Sequence, residues 1–226
     1  MKFLNNFKLK SNLLKYEIKN FFYHNEGDLH LFLKKKLKKK RGIYVDVGCY
    51  HPIRLSNTKF LYDKGWRGMN IDLSKDSINL FNISRPKDIN LNFAIGEKKE
   101  KKYFYYNKKL HHANTLNKNF YSKFLKNQNI KKEKINIVPL TFLFEKYLKS
   151  KDIDFLDIDA EGHDLQVLKG IDFNKNNINF ILIEVHSFDK KTKINSKKIW
   201  NLLKKEKYKL IYGKYPGNCI FKKNSK

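Results

Sequence analysis

The sequence contains little of several residue types, and each scarcity excludes a class of protein. Two cysteines in 226 residues, Cys49 and Cys219, are too few for a disulfide-stapled secreted domain, so we expect two buried free thiols. Only four of the 49 basic residues are arginine, which disfavours specific recognition of nucleic acids through guanidinium groups. No run of 18 apolar residues occurs, and therefore no membrane-spanning helix is predicted.

Glycine is scarce where a nucleotide-binding loop would need it. The turn after the first predicted strand runs from Gly48 to Pro52 and carries bulky Tyr50 and His51 where a pyrophosphate would approach the backbone. This disfavours a dinucleotide cofactor, and the glycine-rich loop of P-loop nucleotide-binding proteins does not occur. No closely spaced histidine and cysteine ligands appear, so zinc is not expected.

The composition is that of a globular protein with a strong positive charge. Apolar residues make up 41% and aromatic residues 15%, which is enough for the packed core of one α/β domain with a short arm. The formal net charge is +27. Lysine, asparagine and isoleucine all have A/T-rich codons, so a biased genome explains much of this charge. The remaining implication is attraction of an acidic acceptor or an anionic surface, not specific binding of nucleic acid.

Residues 1–41 are predicted to form a helical, basic N-terminal arm. Leu13, Leu14 and Ile18 recur at helical spacing, and residues 30–41 read "HLFLKKKLKKKR". This basic segment is either a solvated helix face that covers one edge of the domain or a peripheral contact with an anionic membrane. The first residues lack the apolar stretch and cleavage site of a signal peptide. We therefore expect a cytoplasmic protein, peripheral at the inner membrane surface if the lipid contact forms.

Residues 42–226 are predicted to form one α/β domain, because strand-like and helix-like segments alternate along it. Such alternation indicates a mostly parallel sheet with right-handed crossovers. The segments "KLIYG" and "GNCIFKK" predict a closing antiparallel hairpin. Residues 107–134 are polar and rich in lysine and asparagine, and we interpret them as an insertion near the active site or a surface excursion.

Ligands of parallel α/β sheets bind at the carboxyl ends of the strands, and here those ends are rich in acids. S-adenosylmethionine has no phosphate; it needs one closely approaching glycine, an acid near its amino group and an acid at its ribose hydroxyls. Gly48, Asp46 and Asp72 meet these needs. Individually, Asp46 could instead be a helix cap or a buried hydrogen-bonding carboxylate, and Asp72 a turn residue at a strand end.

Three motifs resemble the FkbM-type S-adenosylmethionine-dependent methyltransferases. They are "YVDVGCYHPIRLSNTKFLYDKGWRGMNIDLS", "FLDIDAEGHDLQVLKGID" and "FILIEVH", and the likeness covers about residues 43–187. The resemblance implies a Rossmann-like, seven-stranded class I methyltransferase sheet. It also implies O-methylation of a hydroxyl on a sugar, nucleotide-sugar or lipid-linked glycan. The residues expected to bind S-adenosylmethionine are Asp46, Val47, Gly48, Cys49, Asp72, Leu73, Ala94, Ile95 and Asp157.

The acidic stretch after residue 156 is expected to supply the chemistry of the acceptor side. A hydroxyl group is a weak nucleophile, so a base must take its proton, and His163 is the natural base because its usual pKa is near neutrality. The candidate catalytic residues are His163, Asp159, Glu161, Glu184 and His186. A purely structural alternative is that Asp159 caps the following helix, while Glu161 and Asp164 favour its positive N-terminus.

Other functions remain open at this stage. Carboxylates could bind Mg²⁺, although no ligand spacing indicates it, and no metal ligands are assigned. Asp157-x-Asp159 could hold Mn²⁺ and a nucleotide sugar in a glycosyltransferase. A second alternative function is a non-catalytic basic protein that binds RNA or a membrane. The oligomeric state is not predicted.

Overall fold

The computed structural model describes residues 2–22, 27–108, 110–117, 122, 129–148, 152–186, 190–213 and 216–224. Within this part of the chain the helices are α1 (Lys2–Phe22), α2 (Asp28–Lys36), α3 (Lys59–Asp63), α4 (Lys75–Ser84), α5 (Leu140–Tyr147), α6 (Asp164–Lys169) and α7 (Lys190–Lys205). The strands are β1 (Ile43–Val47), β2 (Arg67–Asp72), β3 (Ile89–Asn92), β4 (Ala94–Ile95), β5 (Glu100–Tyr106), β6 (Lys131–Val138), β7 (Asp152–Ile158), β8 (Asn177–Val185), β9 (Tyr208–Tyr212) and β10 (Gly217–Lys223).

The main sheet has seven strands in the order β3-β2-β1-β7-β8-β10-β9. In this sheet β3, β2, β1, β7 and β8 are parallel to one another. β10 is antiparallel to both of its neighbours, β8 and β9. The predicted fold is therefore confirmed: a Rossmann-like, mostly parallel sheet of seven strands that ends in an antiparallel hairpin. From β1 the chain builds the sheet first toward β2 and β3 and later, on the other side, toward β7 and β8. The carboxyl ends of β1 and β7 therefore form the crevice in which ligands of such sheets bind.

Both faces of the sheet are covered, as a parallel sheet requires. Side chains alternate along β1, so Val45 and Val47 enter a large core on the side of α5, α6 and α7. Tyr44 enters a second core on the opposite side, which includes Trp66 and Phe155. Because Asp46 follows the same alternation as Tyr44, its carboxylate lies on the side of the second core, at the end of the strand.

The N-terminal helices pack against the domain. Leu33 and Leu37 are buried in the second core, so the apolar side of residues 30–41 faces the sheet. Leu13 of α1 is buried against the side of α4. Leu14 and Ile18 are exposed, so they do not share the face of Leu13 as the sequence pattern predicted. No helix in the described part of the chain is long and apolar enough to cross a membrane.

A second, three-stranded sheet in the order β4-β6-β5 stands beside the main sheet. β6 begins at Lys131, so the excursion between β5 and β6 covers residues 107–130, four residues fewer than the 107–134 predicted. Of this excursion the structure describes residues 107–108, 110–117, 122 and 129–130. Both cysteines are free and buried, as the sequence predicted.

Candidate active site

The loop after β1 is held tightly between two other strands. The amide of Gly48 donates to the carbonyl of Ile71 at 2.9 Å, and the amide of Asp159 donates to the carbonyl of Val47 at 3.0 Å. Gly48 has a φ of +83°, and a Cβ at this position would collide with the carbonyl oxygen of Asp159. Only glycine fits a positive φ where there is no room for a Cβ, so Gly48 lets the end of β1 approach the backbone after β7 closely.

Two buried carboxylates stand side by side at the ends of β1 and β7. Asp46 and Asp157 are paired in register on the parallel strands. Thr58 donates its hydroxyl to Asp46 at 2.6 Å, and Asn57 donates its amide to Asp157 at 3.0 Å. Burial raises the pKa of Asp46 to about 6 and, together with the charge of Asp46, raises the pKa of Asp157 well above its ordinary value. Two acids in this position strongly favour a cationic ligand group.

Asp72 stands at the end of β2 and orders two loops. Its carboxylate accepts the amide of Tyr50 at 2.9 Å and the amide of Ser74 at 2.6 Å. Burial raises the pKa of Asp72 to about 6, against the lowering effect of these hydrogen bonds. Each carboxylate oxygen has a further lone pair, so Asp72 can act as the predicted turn residue and still accept a ligand hydroxyl.

The acidic stretch between β7 and α6 is folded by Asp164, not by Asp159. The carboxylate of Asp164 accepts the amides of Ala160 at 2.8 Å and Gly162 at 3.1 Å. This arrangement holds Glu161 at a φ of +49°, a strained conformation for a residue with a side chain. Burial and the nearby carboxylates of Glu184 and Asp164 raise the pKa of Glu161 to about 8.

His163 occupies the N-cap position of α6 and is 6% exposed. Its Nε2 has no hydrogen-bond partner within the described residues. Burial, with a smaller effect from Lys102, lowers the pKa of His163 to about 3, so the imidazole is neutral. A Cβ on Gly96 would lie 3.4 Å from this Nε2, so the glycine leaves space in front of the ring.

Glu184 and His186 form an ion pair, with 3.2 Å between Oε2 and Nε2. Burial disfavours the charged form of each residue, but the favourable interactions of the charged forms are stronger. The pKa of Glu184 is therefore lowered and the pKa of His186 is raised. Ligand atoms of Glu161, Glu184 and His186 lie within 4.8 Å of one another, a spacing that could hold a metal ion. His163 does not belong to this group.

Two adjoining pockets open at these strand ends. The first has an apolar slot and a polar end, and the second is lined mainly by acids and polar groups. The apolar slot is formed by Val47, Ile71, Leu73, Phe93, Ile95 and Val167, and the polar side chains around it include Asp72 and His163. The second pocket includes Asp46, Cys49, Ser56, Asn57 and Asp157. Both pockets are lined by Gly48, Tyr50, His112, Asp159 and Glu161.

The structure thus brings together most of the predicted cofactor residues. Val47, Gly48, Asp72, Leu73 and Ile95 line the first pocket. Asp46, Cys49 and Asp157 line the second pocket. Ala94 is buried on β4 but is not among the lining residues, because its neighbour Ile95 is the residue that faces the slot.

The excursion after β5 forms one wall of the first pocket, which the sequence did not reveal in detail. Thr115 donates its hydroxyl to the carbonyl of Glu161 at 2.7 Å, and Asn117 donates its amide to the carbonyl of Gly162 at 3.0 Å. His112 lines both pockets, and its Nδ1 lies 4.0 Å from Oε1 of Glu161. The adjacent histidines His111 and His112 in this lysine-rich segment were the sequence signal that could have indicated its place at the pocket. Tyr50, Asn57 and Thr58 were also missed, because nothing local marks them.

The sheet order and this strand-end site place the chain in the class of Rossmann-like, S-adenosylmethionine-dependent methyltransferases. More particularly, it belongs to the FkbM family, since the model of the methyltransferase FkbM domain matches residues 46–210. This membership replaces the two alternatives left open by the sequence, a glycosyltransferase and a non-catalytic basic protein. S-adenosylmethionine is the cofactor that the family implies.

Comparison with solved structures finds distant similarities. A TehB-like S-adenosylmethionine-dependent methyltransferase from Corynebacterium glutamicum is 9% identical with a TM-score of 0.46, covering 96% of this chain and 98% of its own. A ribosomal protein L11 methylase from Lactobacillus delbrueckii subsp. bulgaricus is 11% identical with a TM-score of 0.42, covering 87% and 78%. At these values neither similarity bears on the acceptor. No curated protein matches the chain.

Proposed function

We propose that this methyltransferase transfers the methyl group to a hydroxyl oxygen of a sugar or glycan precursor. The observation that carries the proposal is Glu161, whose carboxylate lines both pockets and has a pKa near 8. Such a group can take the proton of a weakly acidic hydroxyl at the point where the two pockets join. Beyond the Asp46–Asp157 pair, the polar lining of the second pocket, which includes Ser56 and Asn57, suits a ligand rich in hydroxyl groups.

The residues of the two pockets fit S-adenosylmethionine. The buried pair Asp46 and Asp157 would hold its ammonium group, Asp72 its ribose hydroxyls, and the apolar slot with Leu73 and Ile95 its adenine. When bound, this cofactor supplies an electrophilic methyl group on a sulfonium. Gly48 would allow the backbone to approach it closely.

Glu161 is favoured over His163 as the base. An imidazole with a pKa of about 3 holds a proton too weakly to remove one from a hydroxyl group, whereas a carboxylate with a pKa of about 8 is a much stronger base. His163 also lines the apolar slot, whereas Glu184 and His186 do not. We therefore infer that His163 supports the cofactor, and that its free Nε2 offers that ligand a hydrogen bond.

The Glu184–His186 pair is interpreted as the electrostatic support of Glu161. When Glu161 takes the hydroxyl proton, the negative charge of its carboxylate disappears. The carboxylate of Glu184 raises the pKa of Glu161, and the smaller effect of His186 lowers it, so His186 offsets part of the repulsion between the two acids. Glu184 in turn raises the pKa of His186 and so favours its charged form. Without His186, the pKa of Glu161 would be higher still, and less of it would be ionised near neutral pH.

The acceptor class is tested by a screen of free sugars, nucleotide-sugars and lipid-linked glycans with radiolabelled S-adenosylmethionine. We expect label in a base-stable methyl ether on a glycan precursor, incorporated roughly 10² to 10⁴ times more slowly by the Glu161→Gln variant. Label in a base-labile ester or on an amino group would refute the hydroxyl acceptor. The long-range positive field of the +27 chain favours acceptors that carry a phosphate or pyrophosphate.

A further inference from the structure

Helix α1 carries apolar side chains on two opposite sides. One side includes Leu9, Leu13 and Tyr16, which pack in a cluster with Ile53 and Leu80 of the domain. The other side includes three large apolar side chains that face solvent: Phe7 is 69% exposed, Leu14 58% and Ile18 50%. The inner side alone accounts for docking of α1 on the domain, so the outer side requires another explanation.

The three outer residues form a narrow stripe. At 100° per residue, Phe7, Leu14 and Ile18 fall within about 40° of the helix circumference. Other large apolar side chains that are exposed in the described part of the chain, such as Leu55 and Tyr103, stand on separate elements. Isolated exposed apolar residues are ordinary, whereas an aligned stripe marks an interaction surface.

Lysines border this stripe. On the same projection Lys10 lies on one side of it, and Lys8, Lys15 and Lys19 lie on the other. All four are exposed, and Glu17 is the single acid between residues 7 and 19. An apolar stripe bordered by one lysine on one side and three on the other has the pattern of a helix that lies in the interface of an anionic bilayer. A protein interface would more commonly be depleted of lysine.

We propose that the outer face of α1, defined by Phe7, Leu14 and Ile18, docks the enzyme on an anionic lipid surface. The apolar side chains would enter the boundary between headgroups and acyl chains, and the bordering lysines would contact the acidic headgroups. The sequence suggested residues 30–41 for such a contact, but Leu33 and Leu37 of that segment are buried in the protein core. The proposal is independent of the acceptor and of the catalytic base.

The test is sedimentation of the full chain with vesicles of phosphatidylcholine alone or with 30% phosphatidylglycerol added. We expect about tenfold stronger binding to the acidic vesicles and weaker binding in high salt, because several lysines contribute. The triple variant Phe7→Ser/Leu14→Ser/Ile18→Ser should lose about tenfold or more of this binding. The matched control is Ile130→Ser/Ile194→Ser/Leu210→Ser, which alters three exposed apolar residues outside α1 and should bind like the original chain.

Two results would overturn the proposal. In the first, the α1 variant binds acidic vesicles as tightly as the control variant. In the second, the original chain is a dimer in light scattering and the α1 variant is a monomer, which would make the stripe a contact between two copies. Circular dichroism of both variants verifies that they are folded, so that a loss of binding cannot be attributed to unfolding.

Discussion

Asp46 and Asp157 lie directly beside each other on neighbouring parallel strands. Two consecutive residues of one loop donate hydrogen bonds to them, Asn57 to Asp157 and Thr58 to Asp46. Burial of two adjacent carboxylates is unfavourable unless a proton or another cation is shared between them. The pair is therefore the place in this site where a ligand ammonium group gains most. This relationship leads to the first expectation.

Replacing Asp46 with asparagine should weaken binding of S-adenosylmethionine roughly 10- to 100-fold, about 1.4 to 2.8 kcal/mol, because the ammonium group loses a buried partner. Isothermal titration calorimetry measures this affinity. Asp63→Asn, which removes an exposed acid of α3, is the matched control and should bind normally. Unchanged affinity in Asp46→Asn would place the ammonium group elsewhere.

The rate should rise with pH as Glu161 loses its proton. Because the pKa of Glu161 is about 8 and the carboxylate is the active form, kcat/KM should fall about tenfold per pH unit below the inflection. A bound cationic cofactor favours the carboxylate and moves the inflection somewhat below pH 8. Glu161→Gln should reduce the rate by roughly 10² to 10⁴ and abolish the inflection. A Gln variant that keeps the pH profile would show that another group is the base.

His163→Ala should leave the pH profile in place. The imidazole is neutral throughout the working range because its pKa is about 3, so the inflection near pH 8 does not belong to it. The expected loss is in cofactor affinity, about tenfold, measured as the Kd of S-adenosylhomocysteine. If the variant instead binds this product normally but loses the inflection and most of its rate, His163 is the base that the sequence suggested.

Gly48→Ala should disrupt the centre of the site. The methyl group would meet the carbonyl of Asp159, and a φ of +83° is unfavourable for alanine, so we expect a stability loss of at least about 2 kcal/mol. Denaturation in urea measures the free energy of unfolding. Gly27→Ala is the control, since no neighbouring atom of the described residues lies within 4 Å of the added Cβ, and its stability should be nearly unchanged. Equal stability of the two variants would contradict the close approach.

Chelation should leave the activity intact. Glu161, Glu184 and His186 could together bind a divalent cation, but His186 is already paired with Glu184. A metal would have to displace that pair. We therefore expect the same rate after treatment with EDTA and dialysis. A loss of activity that Mg²⁺ or Mn²⁺ restores would make these three residues a metal site.

The sequence predicted those features that depend on local pattern. The ends of β1 at Val47 and of β2 at Asp72 follow from short apolar runs, and a single glycine at Gly48 was enough to favour one cofactor over another. Asp72 was identified by its place at a strand end. Rules that relate a residue to its immediate neighbours were sufficient for each of these.

Features that depend on contacts between distant segments were not predicted. Nothing near His163 in the sequence shows that its ring is 6% exposed, which is what makes it a poor base. Nor does any local pattern indicate that Thr115 hydrogen-bonds the backbone of Glu161, or that Asp164 and not Asp159 organises the loop. The packed side of α1 was predicted wrongly for the same reason: the sequence placed Leu14 and Ile18 on one face with Leu13, but both are exposed, since the helix is apolar on two sides.

The position of β10 has a practical consequence for work with this protein. Residues 217–223 fill the gap between β8 and β9, although the family match stops at residue 210. A protein truncated at residue 210 would lack β10, so the edge of β8 would expose unpaired amides and carbonyls. The remaining residues of β9 would lose their place in the sheet. Such an edge invites aggregation, so expression of the shortened form should yield insoluble material rather than a minimal enzyme.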